Sequence, residues 1–316
     1  MSPDDTRTPV LEVTDLVHTY PTKPPTEVLR GIGFSAHQGE ILGVLGINGA
    51  GKTTLIKAIS TLLYPSGGSV RVDGYDVVRQ ARQVRDRISV VLGGDRGLYN
   101  RLSVLENLRF FASLHGIRRG LQQRCRDALE QVQLEQYASR RVETLSKGMR
   151  QRLNLAIGLI SVPRLLLLDE PTVGLDIFEA RRVRETVAHL AQQGTTVLLT
   201  SHYPMDIDQL ATRIILVEKG LISCDMPADR FRRQVGHIAE IRLSGTGTGP
   251  DTAAFEGLTL ESSGGQWTAT LRVRSWEPAV FDCLSTILRS TAVTDLHVHP
   301  VGVETILHSL AGASAR

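Results

Sequence analysis

Cysteines are scarce in this sequence and too widely separated to form a paired metal site. The 316 residues contain three, Cys125, Cys224 and Cys283, and no two of them share the short spacing of a zinc-ligand pair. Disulfide frameworks are typical of small secreted domains, which this long chain does not resemble. We therefore expect three free thiols in a reducing cytosol.

Long apolar runs are missing as well. A membrane-spanning helix needs about 18 or more consecutive apolar residues, and the densest apolar stretch, Leu153–Leu168, is interrupted by Asn154, Pro163 and Arg164. The first residues, MSPDDTRTPV, are polar and acidic, unlike a secretory signal. The sequence predicts a chain that is soluble, or that joins a membrane only through a partner.

The sequence also lacks a basic cluster. Its net charge of +3 is spread thinly, and residues 239–316 carry more acidic than basic side chains. Proteins that bind the phosphate backbone of nucleic acids usually concentrate Lys and Arg in one patch. We therefore expect no nucleic acid partner and interpret the charges as ordinary solvated surface.

What the sequence does contain is a series of short apolar segments that predict buried strands. They are the alternating Leu11–Tyr20 and the apolar Glu40–Gly46, Arg87–Gly93, Arg164–Glu170, Thr195–Ser201 and Arg213–Gly220. Helical patterns fall between them, at Lys52–Leu63, Leu102–His115, Gln122–Leu134, Met149–Ser161 and Ile177–Gln193. Apolar strands of this kind favour a mostly parallel sheet covered by helices. Residues 101–161 show little strand signal and predict a helical subdomain inserted into the sheet.

The pattern changes after Glu218. The later part is interpreted as a Gly/Thr-rich connection at Leu243–Gly257, a strand at Gln266–Ser275, a helix at Pro278–Leu288 and a strand at Val293–His299. On that helix one side is expected to carry Val280, Phe281, Leu284 and Ile287. We predict a main domain over residues 10–235 and a small α+β module over residues 236–316.

A glycine-rich loop, GINGAGKTT (Gly46–Thr54), directly follows one predicted strand and opens a predicted helix. That context is the one a phosphate-binding loop requires, because glycines let the backbone turn its N–H groups around the phosphates. Lys52 would reach the β- and γ-phosphates, and the Thr53 hydroxyl would bind Mg²⁺. The alternative is a glycine-rich turn with a chance lysine, which the complete set of fixed positions disfavours.

Two carboxylates, Asp169 and Glu170, end another predicted strand, RLLLLDE. Ligands bind at the carboxyl edge of open α/β sheets. Asp169 would hold Mg²⁺ directly or through water, and Glu170 would polarise the water that attacks the γ-phosphate. Two acids after a strand are usually only a loop, but together with the glycine-rich loop they predict a hydrolytic site.

Two further side chains each have two interpretations. His202 follows the strand predicted to lie beside that of Asp169, so we favour contact with the γ-phosphate or the attacking water over a plain surface position. Tyr20 ends the first strand, and its ring would either face adenine or be a buried structural element.

With these motifs in order, residues 10–220 resemble the ATP-binding subunit of an ABC transporter. GINGAGKTT is similar to the family's Walker A loop, LLLLDEP to Walker B, LSKGM (Leu145–Met149) to the signature, GLD (Gly174–Asp176) to the D-loop, and His202 to the switch histidine. The resemblance implies a P-loop α/β fold with an antiparallel β subdomain and an inserted helical subdomain, and it implies ATP and Mg²⁺ as cofactors. It assigns nucleotide contacts to Tyr20, Gly46, Asn48, Gly49, Ala50, Gly51, Lys52, Thr53, Thr54 and Asp176.

In that family two subunits pack head to tail, and each signature turn caps the ATP held by the other subunit. The resemblance therefore implies a homodimer in which Ser146 and Gly148 contact the γ-phosphate of the opposite subunit's nucleotide. The physical chemistry agrees, because a helix N-terminus with free N–H groups favours a polyanion.

The chain departs from the family pattern at two places. The signature has Lys147-Gly148 where two glycines are usual, a form that resembles the ATPase subunits of ABC-2 exporters. The loop after Arg87–Gly93 lacks the glutamine that normally links Mg²⁺ to the permease. Gly94, or Gly93 with a different gap, stands at its place, and Asp95 is the nearest candidate to replace it.

The tail HVHPVGVETILHSLAG loosely resembles that of the drug-resistance exporter ATPases typified by daunorubicin resistance. His297 and His299 share a face of a predicted strand, and we favour two surface residues over a metal site, because no third ligand is in sight.

The leading interpretation is an ATPase at the cytoplasmic face of the membrane that drives a separate multi-span permease, exporting a drug, antibiotic or lipid-like compound. One alternative, a soluble ABC ATPase acting on ribosomes or DNA, is disfavoured by the single Walker A loop and by the short distance from Thr54 to Arg164. The other, the ATPase of an importer, is disfavoured by the Lys-Gly-Met turn. In this interpretation the permease, and not this chain, selects the cargo.

Overall fold

The computed structural model describes most of the chain, namely residues 8–92, 97–201, 207, 209–235, 239–252, 255, 257–274 and 276–300. The described residues fall into two compact units. One contains those up to residue 201 and those from 210 to 225, and the other contains residues 207 and 209 and those from Met226 onward. Of the three β-sheets in the described residues, two belong to the first unit and one to the second.

A six-stranded sheet of order β10-β9-β3-β8-β7-β6 dominates the first unit. Its strands are β3 (Ile41–Leu45), β6 (Ile88–Leu92), β7 (Leu165–Asp169), β8 (Thr196–Ser201), β9 (Arg213–Glu218) and β10 (Leu221–Pro227). β3 pairs in parallel with β8 and β9, and β7 pairs in parallel with β6 and β8. Every residue of β3 and β8 is buried. The prediction of a buried, mostly parallel sheet is confirmed, and β8 lies beside β7 as expected.

A four-stranded antiparallel sheet of order β2-β1-β4-β5 belongs to the same unit. Its strands are β1 (Leu11–Tyr20), β2 (Thr26–Ala36), β4 (Gly67–Val72) and β5 (Tyr75–Asp76). The antiparallel subdomain implied by the resemblance is therefore present, although only β1 was recognisable as a strand. β2 gives a weak strand signal because Arg30, Gly31 and Gly33 interrupt its apolar residues, yet Leu29 and Ile32 are fully buried.

Helices connect these strands at nearly the predicted places. They are α1 (Lys52–Ile59), the unpredicted α2 (Ala81–Arg85), α3 (Val104–Leu114), α4 (Leu121–Gln131), α5 (Lys147–Leu159) and α6 (Ile177–Gln192), with short 3-10 turns at Glu135–Tyr137 and Val142–Thr144. α1 ends at Ile59, four residues before the predicted end, and Thr61 after it has a positive φ of 65°. Leu62, expected in the helix, is 65% exposed.

α3, α4 and α5 form the predicted helical subdomain, and a capping box fixes the start of α3. The Ser103 hydroxyl accepts a hydrogen bond from the Glu106 N–H at 3.2 Å, and a Glu106 carboxylate oxygen accepts one from the Ser103 N–H at 2.7 Å. Such reciprocal bonds satisfy N–H groups that the helix leaves without intrahelical partners. The side chain of buried Asn107 accepts a hydrogen bond from the Tyr99 N–H and donates one to the Tyr99 carbonyl. These two bonds hold the segment that precedes the helix.

The second unit contains α7 (Ala228–Val235), β11 (Ala239–Thr246), β12 (Leu258–Ser263), β13 (Gln266–Val273), α8 (Pro278–Ser290) and β14 (Ala292–Pro300). Its antiparallel sheet has the order β12-β13-β11-β14. The mixed α+β character is as predicted, whereas the expected Gly/Thr-rich connection begins too early, because Leu243–Thr246 belong to β11. Close packing requires glycine at position 245, because any side chain there would collide with the ring of Trp267.

The buried face of α8 also differs from the expected one. Ile287 is buried as predicted, but Phe281 is 53% exposed and its ring lies 5.8 Å from that of Trp276. Cys283 is buried instead, because positions 283 and 287 are four residues apart and share one helix face. No helix in the described ranges is long and apolar enough to span a membrane.

Candidate active site

The glycine-rich loop joins β3 to α1 at the carboxyl edge of the central sheet, and close packing explains its glycines. A side chain at Gly46 would collide with the carbonyl of Val217 on β9. At Gly51, which precedes α1 with a φ of 109°, a Cβ atom would lie 2.9 Å from Leu29 and 3.1 Å from the Val28 carbonyl. The same carbonyl also leaves no space for a side chain at Gly220. The loop is therefore held against both sheets of the first unit.

Lys52 is the first residue of α1, and its side chain folds back over the loop. Its Nζ donates hydrogen bonds to the carbonyls of Gly46, at 2.6 Å, and Ile47, at 3.1 Å. Burial lowers the pKa of Lys52, and the negative charges of Glu170 and Asp169 offset part of that shift. The two carboxylates thus favour the charged ammonium that phosphate binding requires.

Thr53 and Asp169 bring the loop and β7 together. The Thr53 hydroxyl donates to Asp169 Oδ2 at 2.9 Å. On the other side of the carboxylate, the hydroxyl of buried Thr200 on β8 donates to Oδ1. Mg²⁺ prefers hard oxygen ligands and usually takes one or two carboxylates together with substrate phosphates. A hydroxyl and a carboxylate this close at a helix N-terminus fit that ion.

Glu170 follows β7 in a backbone conformation that is uncommon for a residue with a side chain. Its φ is 52°, and its N–H donates to the Thr200 carbonyl at 3.1 Å while its own carbonyl accepts from the Val173 N–H at 3.3 Å. Left-handed conformations of this kind have an energetic cost and concentrate at functional sites. The main chain therefore fixes the half-buried Glu170 beside Asp169 and near Lys52.

Tyr20 lies at the same end of α1. Its hydroxyl is 3.3 Å from that of Thr54 in the first helical turn, and its ring meets that of buried His18 edge to face, with 4.6 Å between ring centroids. His18 Nδ1 is 3.1 Å from the Tyr64 carbonyl, which identifies Nδ1 as the protonated ring nitrogen. Tyr20 is thus anchored beside the phosphate loop, and stacking on adenine stays a prediction.

The signature turn opens α5, and Ser146 is its N-cap. The Ser146 hydroxyl accepts from the Met149 N–H at 3.1 Å, so its own hydrogen remains available to an anion. Gly148 is buried against Glu179 of α6, and any side chain at position 148 would collide with the Glu179 side chain. Within the described residues, no hydrogen bond joins Ser146 to the glycine-rich loop.

The D-loop precedes α6, whose N-cap is Asp176. The Asp176 carboxylate accepts from the Glu179 N–H at 2.9 Å. Glu179 in turn pairs with Arg152 of α5 at 3.0 Å, where Arg152 is 3% exposed. This buried pair joins the signature helix to the helix that follows the D-loop.

The structure thus brings Lys52, Thr53, Asp169 and Glu170 together, and it adds Thr200, Arg152 and Glu179, which sequence motifs did not reveal. Asn48 and Gly49 lie exposed in the loop, whereas Ala50 is buried beneath it. His202, Gly94 and Asp95 lie outside the described residues, and so does the tail from residue 301. His297 and His299 stack at 5.9 Å on β14, and the described residues contain no cluster of three or more His, Cys, Asp or Glu side chains suited to a metal ion.

Comparisons with known proteins reveal related sequences and a related fold. A family model described as "ABC transporter" matches residues 29–173. The chain is 39% identical over 199 residues to the ABC transporter ATP-binding protein NatA of Bacillus subtilis, a match that covers 63% of this chain and 81% of that protein. It is 43% identical over 212 residues to the daunorubicin resistance ATP-binding protein DrrA3 of Streptomyces coeruleorubidus, with 66% of each chain covered.

A similar fold occurs in a solved ATP-binding cassette, a dimer in a post-hydrolysis state with bound ADP and phosphate. The TM-score is 0.62, and the match covers 69% of this chain and 98% of that one. The sequence identity is 24%, so the likeness concerns the fold alone.

Proposed function

Because the chain belongs to the ABC transporter family of ATP-binding proteins, we propose that it uses ATP hydrolysis to drive a separate multi-span permease of the ABC-2 type. The observation that carries the proposal is the cluster of Lys52, Thr53, Asp169 and Glu170 at one sheet edge, where Thr53 and Asp169 are 2.9 Å apart. A cation, a hydroxyl and two carboxylates in this order are the groups that phosphoryl transfer to water needs.

Each side chain of the cluster has one role in this mechanism. The N–H groups at the start of α1 and the ammonium of Lys52 bind the β- and γ-phosphates. Thr53 and Asp169 would hold Mg²⁺, and that ion would neutralise charge that develops on the phosphate oxygens. Glu170, fixed by its backbone bonds, accepts a proton from the water that attacks the γ-phosphate. We also assign His202 to the γ-phosphate.

A second copy of the chain would complete the site. The exposed Ser146 hydroxyl and the start of α5 form a second anion-binding turn, and no hydrogen bond links Ser146 to the loop of its own chain in the described residues. Two copies arranged head to tail would place this turn on the γ-phosphate bound by the other copy. ATP then stabilises the dimer, and hydrolysis releases it.

A groove beside α3 suits the permease. Its volume is about 590 Å³, and it lies between β6, α3 and α5. Its rim exposes three large apolar side chains, Leu62 at 65%, Leu92 at 48% and Leu114 at 68%. Exposed apolar surface bounded by polar groups, here Arg85, Asp86 and His115, is typical of interaction sites. We assign it to an amphipathic cytoplasmic segment of the permease, which would hold the chain at the cytoplasmic face of the membrane.

Export of a drug, antibiotic or lipid-like compound is the transport function we favour. Its support is the similarity to a protein named for daunorubicin resistance and the Ser-Lys-Gly-Met form of the signature. We further propose that residues 10–235 form the ATPase domain and residues 236–316 an accessory module.

Affinity purification of the full-length chain from native membranes tests the proposal. A multi-span membrane protein should co-purify with the wild type. Leu114→Glu should lose that protein, because a charge in the groove opposes apolar docking. Leu221→Glu, at a 47% exposed position of β10, is the matched control and should retain it. Recovery of no multi-span protein, or equal recovery with both variants, would contradict the proposed partner or its docking groove.

A further inference from the structure

Asp169 and Thr200 lie directly opposite each other in the central sheet. They are paired in the parallel register of β7 and β8, at the carboxyl edge of both strands. Thr200 is fully buried, and its hydroxyl donates to Asp169 Oδ1 at 2.5 Å. A hydrogen bond to an ionised carboxylate is about twice as strong as one between neutral groups. The register of the two strands therefore aims this hydroxyl at the carboxylate assigned to the metal.

The hydroxyl of Thr200 has one hydrogen and two possible acceptors. The Leu168 carbonyl is 3.5 Å away, so the much shorter bond to Asp169 takes the hydrogen. Most side-chain hydrogen bonds go to the backbone or to water. Thr196 follows that rule on the same strand, since its fully buried side chain donates to the His37 carbonyl at 2.9 Å. Thr200 departs from it at a residue of the candidate site.

The carboxylate of Asp169 is held at both of its oxygens. Thr53 donates to Oδ2 at 2.9 Å, and Thr200 donates to Oδ1. The terminal torsion of an aspartate is broad, so a bond to one oxygen alone would let the group turn. Thr53 is exposed and would share its oxygen with Mg²⁺, whereas Thr200 is buried and its branched side chain is stiff. Thr200 is therefore the partner that can hold the carboxylate before and after a metal binds.

Thr200 also contacts Glu170, but through its main chain. The Glu170 N–H donates to the Thr200 carbonyl at 3.1 Å, and this bond supports the left-handed backbone of Glu170. A substitution of the Thr200 side chain keeps that carbonyl. Loss of the hydroxyl should therefore act on Asp169 while the bond at Glu170 persists.

We propose that Thr200 is a positioning residue that fixes the Asp169 carboxylate for a divalent cation and so sets the affinity of the site for that ion. The inference rests on the metal role of Asp169 proposed above, and it adds a residue that acts only through Asp169. Removal of a group that orients a metal ligand typically costs about 10–100-fold in metal affinity. The effect falls on the cation and not on the nucleotide.

Mn²⁺ binding to the full-length chain tests the inference. With excess protein and a non-hydrolysable ATP analogue, loss of the free-ion signal in electron paramagnetic resonance gives the apparent Mn²⁺ dissociation constant. Thr200→Ala should raise that constant about 10-fold or more, and Thr200→Val, which nearly keeps the volume, should do the same. Thr200→Ser differs from Thr200→Ala only in the hydroxyl and should stay close to the wild type. Thr196→Ala removes an equally buried hydroxyl from the same strand and is the matched control.

Two further measurements separate positioning from a general loss of structure. In EDTA, Thr200→Ala should bind a fluorescent ATP analogue as the wild type does, because Lys52 and the phosphate loop are unchanged. In steady-state hydrolysis it should need about 10-fold or more Mg²⁺ for its half-maximal rate. Saturating Mg²⁺ should restore most of the turnover, since Glu170 keeps its backbone bond.

An unchanged Mn²⁺ constant in Thr200→Ala and Thr200→Val would overturn the inference. An equal rise in Thr200→Ser or in Thr196→Ala would overturn it too, because the effect would then not belong to the Thr200 hydroxyl. Asp169→Asn is the reference for the proposed site and should raise the constant at least as much as Thr200→Ala. Unchanged Mn²⁺ affinity in Asp169→Asn would contradict the metal site itself, whereas a loss there with normal Thr200 variants contradicts only the role of Thr200.

Discussion

Thr53 and Asp169 are 116 positions apart in the chain, and a hydrogen bond of 2.9 Å joins the hydroxyl of one to the carboxylate of the other. The bond links the first turn of α1 to the end of β7. The residues that would bind Mg²⁺ are thus in place within one protomer.

Thr53→Val and Asp169→Asn should each lower Mg-ATP hydrolysis by about 10–100-fold or more, because the first removes the hydroxyl ligand and the second removes the negative charge of the carboxylate. The double variant should lose little beyond the worse single variant, since residues that act as a unit are not additive. Steady-state phosphate release measures all three rates. Independent, multiplying losses would contradict a common metal site.

Glu170→Gln should cut turnover by about 10²-fold or more, as loss of a general base does, while ATP binding persists. The variant should also accumulate an ATP-bound dimer, because ATP still brings the two copies together but is no longer hydrolysed to separate them. Lys52→Ala is the contrasting variant, and it should weaken nucleotide binding itself. Hydrolysis at the wild-type rate in Glu170→Gln would show that another group activates the water.

Ser146→Arg places a bulky side chain where the nucleotide of the second copy should dock. It should abolish ATP-driven dimerisation without unfolding the monomer, because Ser146 is exposed. Mixing it with Lys52→Ala should restore one competent site per heterodimer. The ATPase rate of the mixture measures this effect. If heterodimers are shown to form and the ATPase rate does not recover, the result would argue against a shared site.

The capping box of α3 should make stability depend on acid pH. Hydrogen bonds from Ser103 lower the pKa of Glu106 below its ordinary value. The stabilisation is therefore fully present above the ordinary pKa of about 4.3 and is lost as pH falls through the lower folded pKa.

Urea unfolding of the wild type and Glu106→Gln should consequently differ most near neutral pH and converge at acid pH. Ser103→Ala, which removes one of the two donors, should show a weaker form of the same convergence. A Glu106→Gln difference that is constant from neutral to acid pH would contradict the assignment.

Truncation tests the accessory module. A chain that ends at Val235 should keep ATP affinity, because Lys52 and Thr53 depend on β3, α1 and β7, while dimerisation or coupling to the permease weakens. A chain that ends at Pro227 retains β10 but loses α7, which clusters with the second unit. Nucleotide titration of each folded protein measures the effect, and a large loss of affinity would show that the module helps to build the site.

The phosphate loop and its strands can be predicted from sequence because each lies within one short segment. Gly46–Thr54 contains every fixed position of its motif, and apolar runs such as Leu165–Asp169 admit few other structures. The nature of the candidate site, with Lys52, Asp169 and Glu170, can therefore be predicted from the sequence alone.

The supporting residues could not be found in this way. Thr200, Arg152 and Glu179 are common residue types, and their meaning comes from partners 27 or more positions away. Asp176 illustrates a second limit, because its motif does not reveal that its carboxylate caps α6. Its assignment to the nucleotide stays a prediction. β2 was not predicted from the sequence, because its apolar residues are buried by neighbouring strands and not by a pattern within its own segment.

The carbonyl of Val28 lies against Gly51 on one side and Gly220 on the other, so that β2, the phosphate loop and the turn after β9 meet at one point. Opening the strand at Val28 would remove a contact of both the phosphate loop and the turn after β9, so we expect the amides of the three segments to exchange with deuterium as a single cooperative group. The loop is consequently ordered when the chain folds, before any nucleotide arrives. Little conformational entropy then remains to be lost on binding, and ATP affinity can depend mainly on the charges that meet its phosphates.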